Sequence, residues 1–114
     1  MDNGRCVGHS ALVINQDLTG LPTAVQASAR VQDNGEVMWS RAAAEYAIEA
    51  LAAADRVVLG LDIRDYQPDG SFIEIAWSSF EPNGGDEVDQ GRRAALEALR
   101  SRPLPGEWIL VTWR

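Results

Sequence analysis

Residues 57–82 read VVLGLDIRDYQPDGSFIEIAWSSFEP. The run 57–63 is nearly all apolar and rich in β-branched residues, which predicts a central strand covered on both sides. Gly60 within it marks a bulge or a close backbone approach. Gln67-Pro68-Asp69-Gly70 predicts a turn, because Pro presets φ and Gly takes the position that needs positive φ. Residues 71–77, SFIEIAW, then alternate, with Ile73, Ile75 and Trp77 on one face and Phe72, Glu74 and Ala76 on the other. Residues 57–66 and 71–77 are therefore expected to pair as an antiparallel hairpin.

On either side of this hairpin the period changes to that of a helix. Ser40 is a good N-cap, and Ala44, Ala47, Ile48 and Leu51 follow the i, i+3, i+4, i+7 spacing of one buried face, so residues 40–54 predict a helix ended by Asp55-Arg56. After the loop Pro82-Asn83-Gly84-Gly85, Asp86 is placed to cap a second helix over about 87–100. Acids stand in its first turn and Arg92, Arg93 and Arg100 follow, an order that suits the helix dipole. Its inner stripe is expected to be Val88, the Arg92 stem, Ala95, Leu96 and Leu99. RPLPG, 102–106, breaks this helix, and EWILVTW, 107–113, reads as a closing strand that could stand at a sheet edge and pair with a second copy, a point no residue decides.

The first third is less regular. Residues 11–14, ALVI, fit a short strand. Residues 21–32 fit either an alternating strand or a helical face made of Leu21, Val25 and Ala29, and Pro22 near the start favours the helix. Asp33-Asn34-Gly35 is a turn signal. The order of elements implies a single α+β domain over 1–114, a mostly antiparallel sheet with two or three helices packed on one face.

Composition bounds what such a domain does. The apolar share of 46% and charged share of 24% are those of a soluble globular protein. No apolar run approaches a membrane span, and the opening MDNGRCVGHSALVINQDL has no basic start leading into an apolar core, so a cytoplasmic location is expected. Cys6 is alone and forms no internal disulfide. All ten basic residues are Arg. The net charge of -7 is concentrated: residues 62–89 hold eight acids and one base, and the rest has nine of each. That distribution excludes nucleic acid as a ligand, which needs a basic patch. It fits a basic protein partner, and equally a plain solvated surface.

The chemistry-bearing residues are few. His9 is the only histidine and stands near an irregular start beside Ser10, with no nucleophile elbow around it. One His and one Cys cannot make a zinc site. There is no Walker loop and no GxGxxG. Asp62, Asp65 and Asp69 do not follow the spacing of a calcium loop, and two carboxylates across a sugar cleft need more room than this domain offers. No enzyme activity, metal or cofactor is expected. Of four tryptophans, Trp39 precedes the helix cap as a staple. Trp108 and Trp113 fall on opposite faces of one strand, and Trp77 is expected in the core. Tyr66 is the aromatic best placed for exposure, with Trp77 or Phe80 the lesser candidates, and exposed aromatics ringed by carboxylates are the pattern of an interface.

The run WSRAAAEYAIEALAAADRVVLGLDIRDYQPDGSFIEIAWSSFEP, 39–82, resembles the core of the immunity protein 40 group of bacterial polymorphic toxin systems. Gly60-Leu61-Asp62 stands where that family has Gly-Gly-Asp, and Trp77 stands where it has a strand Trp. The similarity covers about residues 38–113. Leu61 departs from the pattern, as do Ala76 and Ser78 on either side of Trp77. The resemblance implies a non-catalytic cytoplasmic protein that binds and neutralises a cognate toxin, which the acid excess expects to be basic. The expected binding residues are Asp62, Asp65, Tyr66, Asp69, Glu74, Phe80, Glu81 and Glu87. Two other readings remain open on the residues alone: a small non-catalytic ligand-binding or accessory domain with an apolar pocket, and a small enzyme with hairpin carboxylates converging in a cleft.

Overall fold

A computed structural model describes residues 16–66, 68–101 and 108–114, with only the backbone of Tyr66, Phe72, Glu74, Ile75 and Trp77. The readings made for Cys6, His9, Ser10, residues 11–14, Gln67 and residues 102–106 lie outside the described residues, as do those for the side chains of Tyr66, Glu74 and Trp77. The elements are α1 (Thr23–Ser28), β1 (Arg30–Val31), β2 (Val37–Ser40), α2 (Arg41–Ala53), β3 (Val58–Tyr66), β4 (Phe72–Ser79), α3 (Glu87–Ser101) and β5 (Trp108–Trp113). They build the α+β architecture expected, a five-stranded sheet in the order β1-β2-β5-β3-β4, antiparallel throughout.

The helices follow their local signals. The Ser40 hydroxyl accepts a hydrogen bond from the Ala43 N–H at 3.3 Å and caps α2. Ala44, Ala47, Ile48 and Leu51 are its buried face. At its end Asp55 takes a positive φ of 61°, and two bonds close the last turn: Asp55 N–H to Ala52 O and Arg56 N–H to Leu51 O. This is the Schellman arrangement with Asp where Gly is usual. In α3 the Asp86 carboxylate accepts from the Asp89 N–H at 3.3 Å. Gly91, Ala95, Leu96 and Leu99 are buried. Gly91 was not on the expected stripe. A Cβ there would stand 2.6 Å from the Val58 O, so only glycine lets α3 lie this close to β3.

One core joins the three helices to one face of the sheet. Leu21 and Val25 enter from the first helix and its approach, and Val37, Trp39, Val58, Leu61, Ile63, Ile109, Val111 and Trp113 from the strands. Trp39 and Trp113 meet within it with tilted rings.

Four expectations are corrected. Residues 21–32 form a six-residue helix followed by strand β1, not one helix, because Ala29 turns extended at ψ 144° and Arg30 and Val31 pair with Met38 and Val37. Trp39 belongs to a strand, β2, which the sequence reading did not separate from the helix it leads into. The last strand is the middle of the sheet, bonded to β2 and β3 on its two sides, and has no free edge. Finally, the alternation of residues 71–77 is broken by a register shift between Ile63 and Arg64. Ala76, opposite Ile63, therefore faces the core and packs against it; Ile73, expected inside, stands on the same face opposite Asp65 but at the turn end of the hairpin, and is 52% exposed.

Candidate functional site

The hairpin of β3 and β4 runs along one border of the sheet. Its strands pair from Gly60↔Ser79 to Tyr66↔Phe72. Gly60 is a close approach as read: a Cβ there would stand 2.9 Å from the Ser78 O. It also borders a bulge against β5, between Val58 and Gly60, which lets Val58 and Leu61 both reach the core. Leu61, where the family pattern has its second glycine, is a core side chain, 3% exposed. The turn closes with Gly70 at φ 89°. The Asp69 carboxylate there accepts from the Ser71 hydroxyl at 2.6 Å and the Ser71 N–H at 2.9 Å. Those two bonds hold its carboxyl below the usual carboxylate range.

The expected binding residues do not gather on one face. Asp62 pairs with Leu110 of β5, on the face away from the helices, and meets Arg64 at 3.4 Å. Asp65 and Asp69 mark the turn end of the hairpin. Glu81 lies exposed past the other end of β4. Glu87 begins α3 and pairs with Arg114 at 2.9 Å. Phe80, expected as an exposed anchor, packs against the core instead, because its N–H is drawn to the Leu59 O at 2.8 Å and keeps the chain against β3. Tyr66 and Glu74 take backbone positions opposite Phe72 and Arg64.

The acids of residues 62–89 also differ in what they already do. Asp86 caps α3. Asp89 takes Arg92 at 2.8 Å and Arg93 at 2.7 Å, and the Arg92 hydrogen bond foremost holds its carboxyl below the ordinary value. Arg64, the one base of the window, reaches across β5 to Glu36 at 3.3 Å as well as to Asp62. Asp65, Asp69 and Glu81 make no ion pair among the described residues.

The sheet face away from the helices carries a second group that sequence reasoning did not assemble. Met38 and Leu110 are register partners, lie outside the helix-side core, and are 0% and 4% exposed. Trp108 lies on this face, opposite in sense to Trp113 as the parity of one strand requires. The Arg30 guanidinium carbon stands 5.2 Å from its ring centroid, a cation–π contact. The alternation of β5 held the signal for Trp108; the pairing of β1 that brings Arg30 to it did not show in sequence.

Hollows among the described residues lie on the surface. One follows α3 past Arg92, Arg93, Leu96 and Arg100. Another lies between the ends of α2 and α3, beside Glu49, Asp55, Asp86 and Asp89. A third borders the β1–β2 turn, beside Arg30, Glu36 and Arg64. No group of three or more metal-ligating side chains suited to an ion occurs among the described residues, and none of their helices is long and apolar enough to cross a membrane.

No family model, curated protein or solved structure matches this chain.

Proposed function

We propose that this protein is a non-catalytic inhibitor of the immunity type, which binds and neutralises a basic cognate toxin in the cytoplasm through the β3–β4 hairpin. The observation that carries this reading is the imbalance of charge along that border of the sheet. Asp69 and Glu81 are exposed and Asp65 is half-buried, and none of the three has an ion-pair partner among the described residues. The sole base nearby, Arg64, is turned towards Glu36, away from β4. Unbalanced surface carboxylates raise the encounter rate with a cationic partner by about 10- to 1000-fold at low salt. Neutralising the acids at the two ends of the hairpin removes that pull while leaving the core untouched.

The hairpin acids are spread along a border instead of converging on a cleft. That arrangement supports docking over acid–base chemistry, which needs its groups within reach of one reacting atom.

Co-expression with the toxin domain encoded immediately beside the gene tests the reading. Rescue of growth by the wild-type chain, lost or strongly weakened in the triple variant Asp65→Asn, Asp69→Asn, Glu81→Gln with its melting curve unchanged, is the expected result. Rescue that survives those substitutions places the contact elsewhere. Absence of rescue by the wild-type chain removes the toxin-inhibitor reading.

A further inference from the structure

We propose that β4 captures its partner by strand addition: an extended segment of the basic partner, with cations at both ends, pairs along the outer edge of β4. This inference rests on the toxin-inhibitor reading and specifies how the hairpin binds.

The sheet has two borders of unequal kind. β1 offers two residues, Arg30 and Val31. β4 offers eight, Phe72–Ser79, and pairs only with β3 among the described residues. Eight residues of strand extend about 26 Å. Open edges of this length are usually blunted by lysine, proline or inward charge. FIEIAWSS contains no lysine or proline and one acid, and Ile73 on it is half exposed. The register shift breaks the strand opposite Ile63 and Arg64, yet Ala76–Ser79 remain in unbroken register with Gly60–Ile63.

The backbone there is poised to accept a neighbour. Phe80 donates its N–H inward to Leu59 O at 2.8 Å. In an antiparallel ladder the direction alternates, so Ser78 also donates inward and the amides of Trp77 and Ser79 face outward. Main-chain pairing along an open edge gives affinity without a pocket.

Charge decides the occupant. The edge is bracketed by Asp65 and Asp69 at the turn and by Glu81 at the far end. An antiparallel pairing of two β4 strands from two copies would set the Asp69 end of one beside the Glu81 end of the other, acid against acid. A segment with arginine or lysine at both ends is matched at both.

The test uses the full chain and the toxin domain encoded beside its gene. Ser79→Pro removes one outward amide and leaves the inward ladder intact, a position where edge strands tolerate proline. Ile73→Arg puts a cation on the edge at an already exposed site. Each variant is expected to keep the wild-type melting temperature and to weaken binding at least tenfold, and the Trp77 and Ser79 amides are expected to become protected from hydrogen exchange in the wild-type complex. Wild-type affinity in both variants, or no protection of those amides, overturns strand addition while leaving the toxin-inhibitor reading in place. A wild-type chain that does not bind at all overturns both.

Discussion

The indole rings of Trp39 and Trp113 meet with centroids 5.8 Å apart and planes tilted by 42°, both fully buried, and yet their N–H groups fare differently. The Trp39 N–H donates to Val25 O at 3.0 Å and ties α1 to the core. The Trp113 N–H has no acceptor among the described residues. Replacing each by Phe trims the same atoms from the same cluster but removes a bond in only one case. Trp39→Phe is expected to cost about 1 kcal/mol more than Trp113→Phe, because it removes a buried hydrogen bond and leaves the Val25 carbonyl with only the Ser28 hydroxyl. Paired urea denaturation curves check this, and equal losses in the two variants would remove the tether to α1.

Gly91 reverses the usual ranking of helix residues. Alanine in place of a mid-helix glycine gains about 1 kcal/mol in an open helix. Here the added methyl would meet the Val58 O at 2.6 Å and its N at 3.0 Å, backbone atoms that move only with the strand. Gly91→Ala is therefore expected to destabilise by about 2–3 kcal/mol net. A melting temperature at or above wild type would show that α3 can lift from β3 at little cost.

Asp55 holds the left-handed position after α2, at φ 61°, and places a negative charge near the negative end of the helix. Both terms are unfavourable. Asp55→Gly is expected to stabilise the fold by about 0.5–1 kcal/mol, offset only in part by the extra freedom of glycine in the unfolded chain. Thermal denaturation at neutral pH reads the effect, and a lowered melting temperature would count against the strain at this turn.

Asp89 links stability to pH. Its carboxyl is held below its ordinary value by the hydrogen bond from Arg92 and the nearby Arg93. A depressed folded value means that the unfolded state binds the proton first as pH falls. The contribution is present above the unfolded value of about 3.9 and is lost as pH drops through the lower folded one. Asp89→Asn is expected to lower the melting temperature near neutral pH and to narrow its gap from wild type below about pH 4. A gap that stays constant from pH 7 to 3 would assign the loss to something other than ionisation.

The elements that were legible in the sequence are those whose signals are local. α2 has its cap, its period and its terminator between Ser40 and Asp55, and the turns at Asn34-Gly35 and Asp69-Gly70 need only their own φ values. β2 was hidden because Val37–Ser40 is four residues long and runs straight into its helix. The inward turn of Ala76 was hidden because a bulge changes parity without leaving any mark in the residue types. Gly91 did leave a mark, a glycine inside a helical pattern, which signals close packing. For the candidate site, the sequence showed where along the chain the acids stand. Asp86 is spent on a cap and Asp89 on Arg92 and Arg93, all within four residues, but that Glu87 is also spent depends on Arg114, far along the chain.

The place of β5 in the sheet governs how this chain can be born. β1–β2 and β3–β4 are each closed by a short turn, but neither pair touches the other in the ladder; both hang on β5, the fifth strand in chain order. Before residues 108–113 are made, neither pair can be completed into the sheet, and Trp39 lacks Trp113. The final six-residue strand acts as the clasp, so the window between synthesis of β3 and arrival of β5 is when this chain most needs shielding from its neighbours.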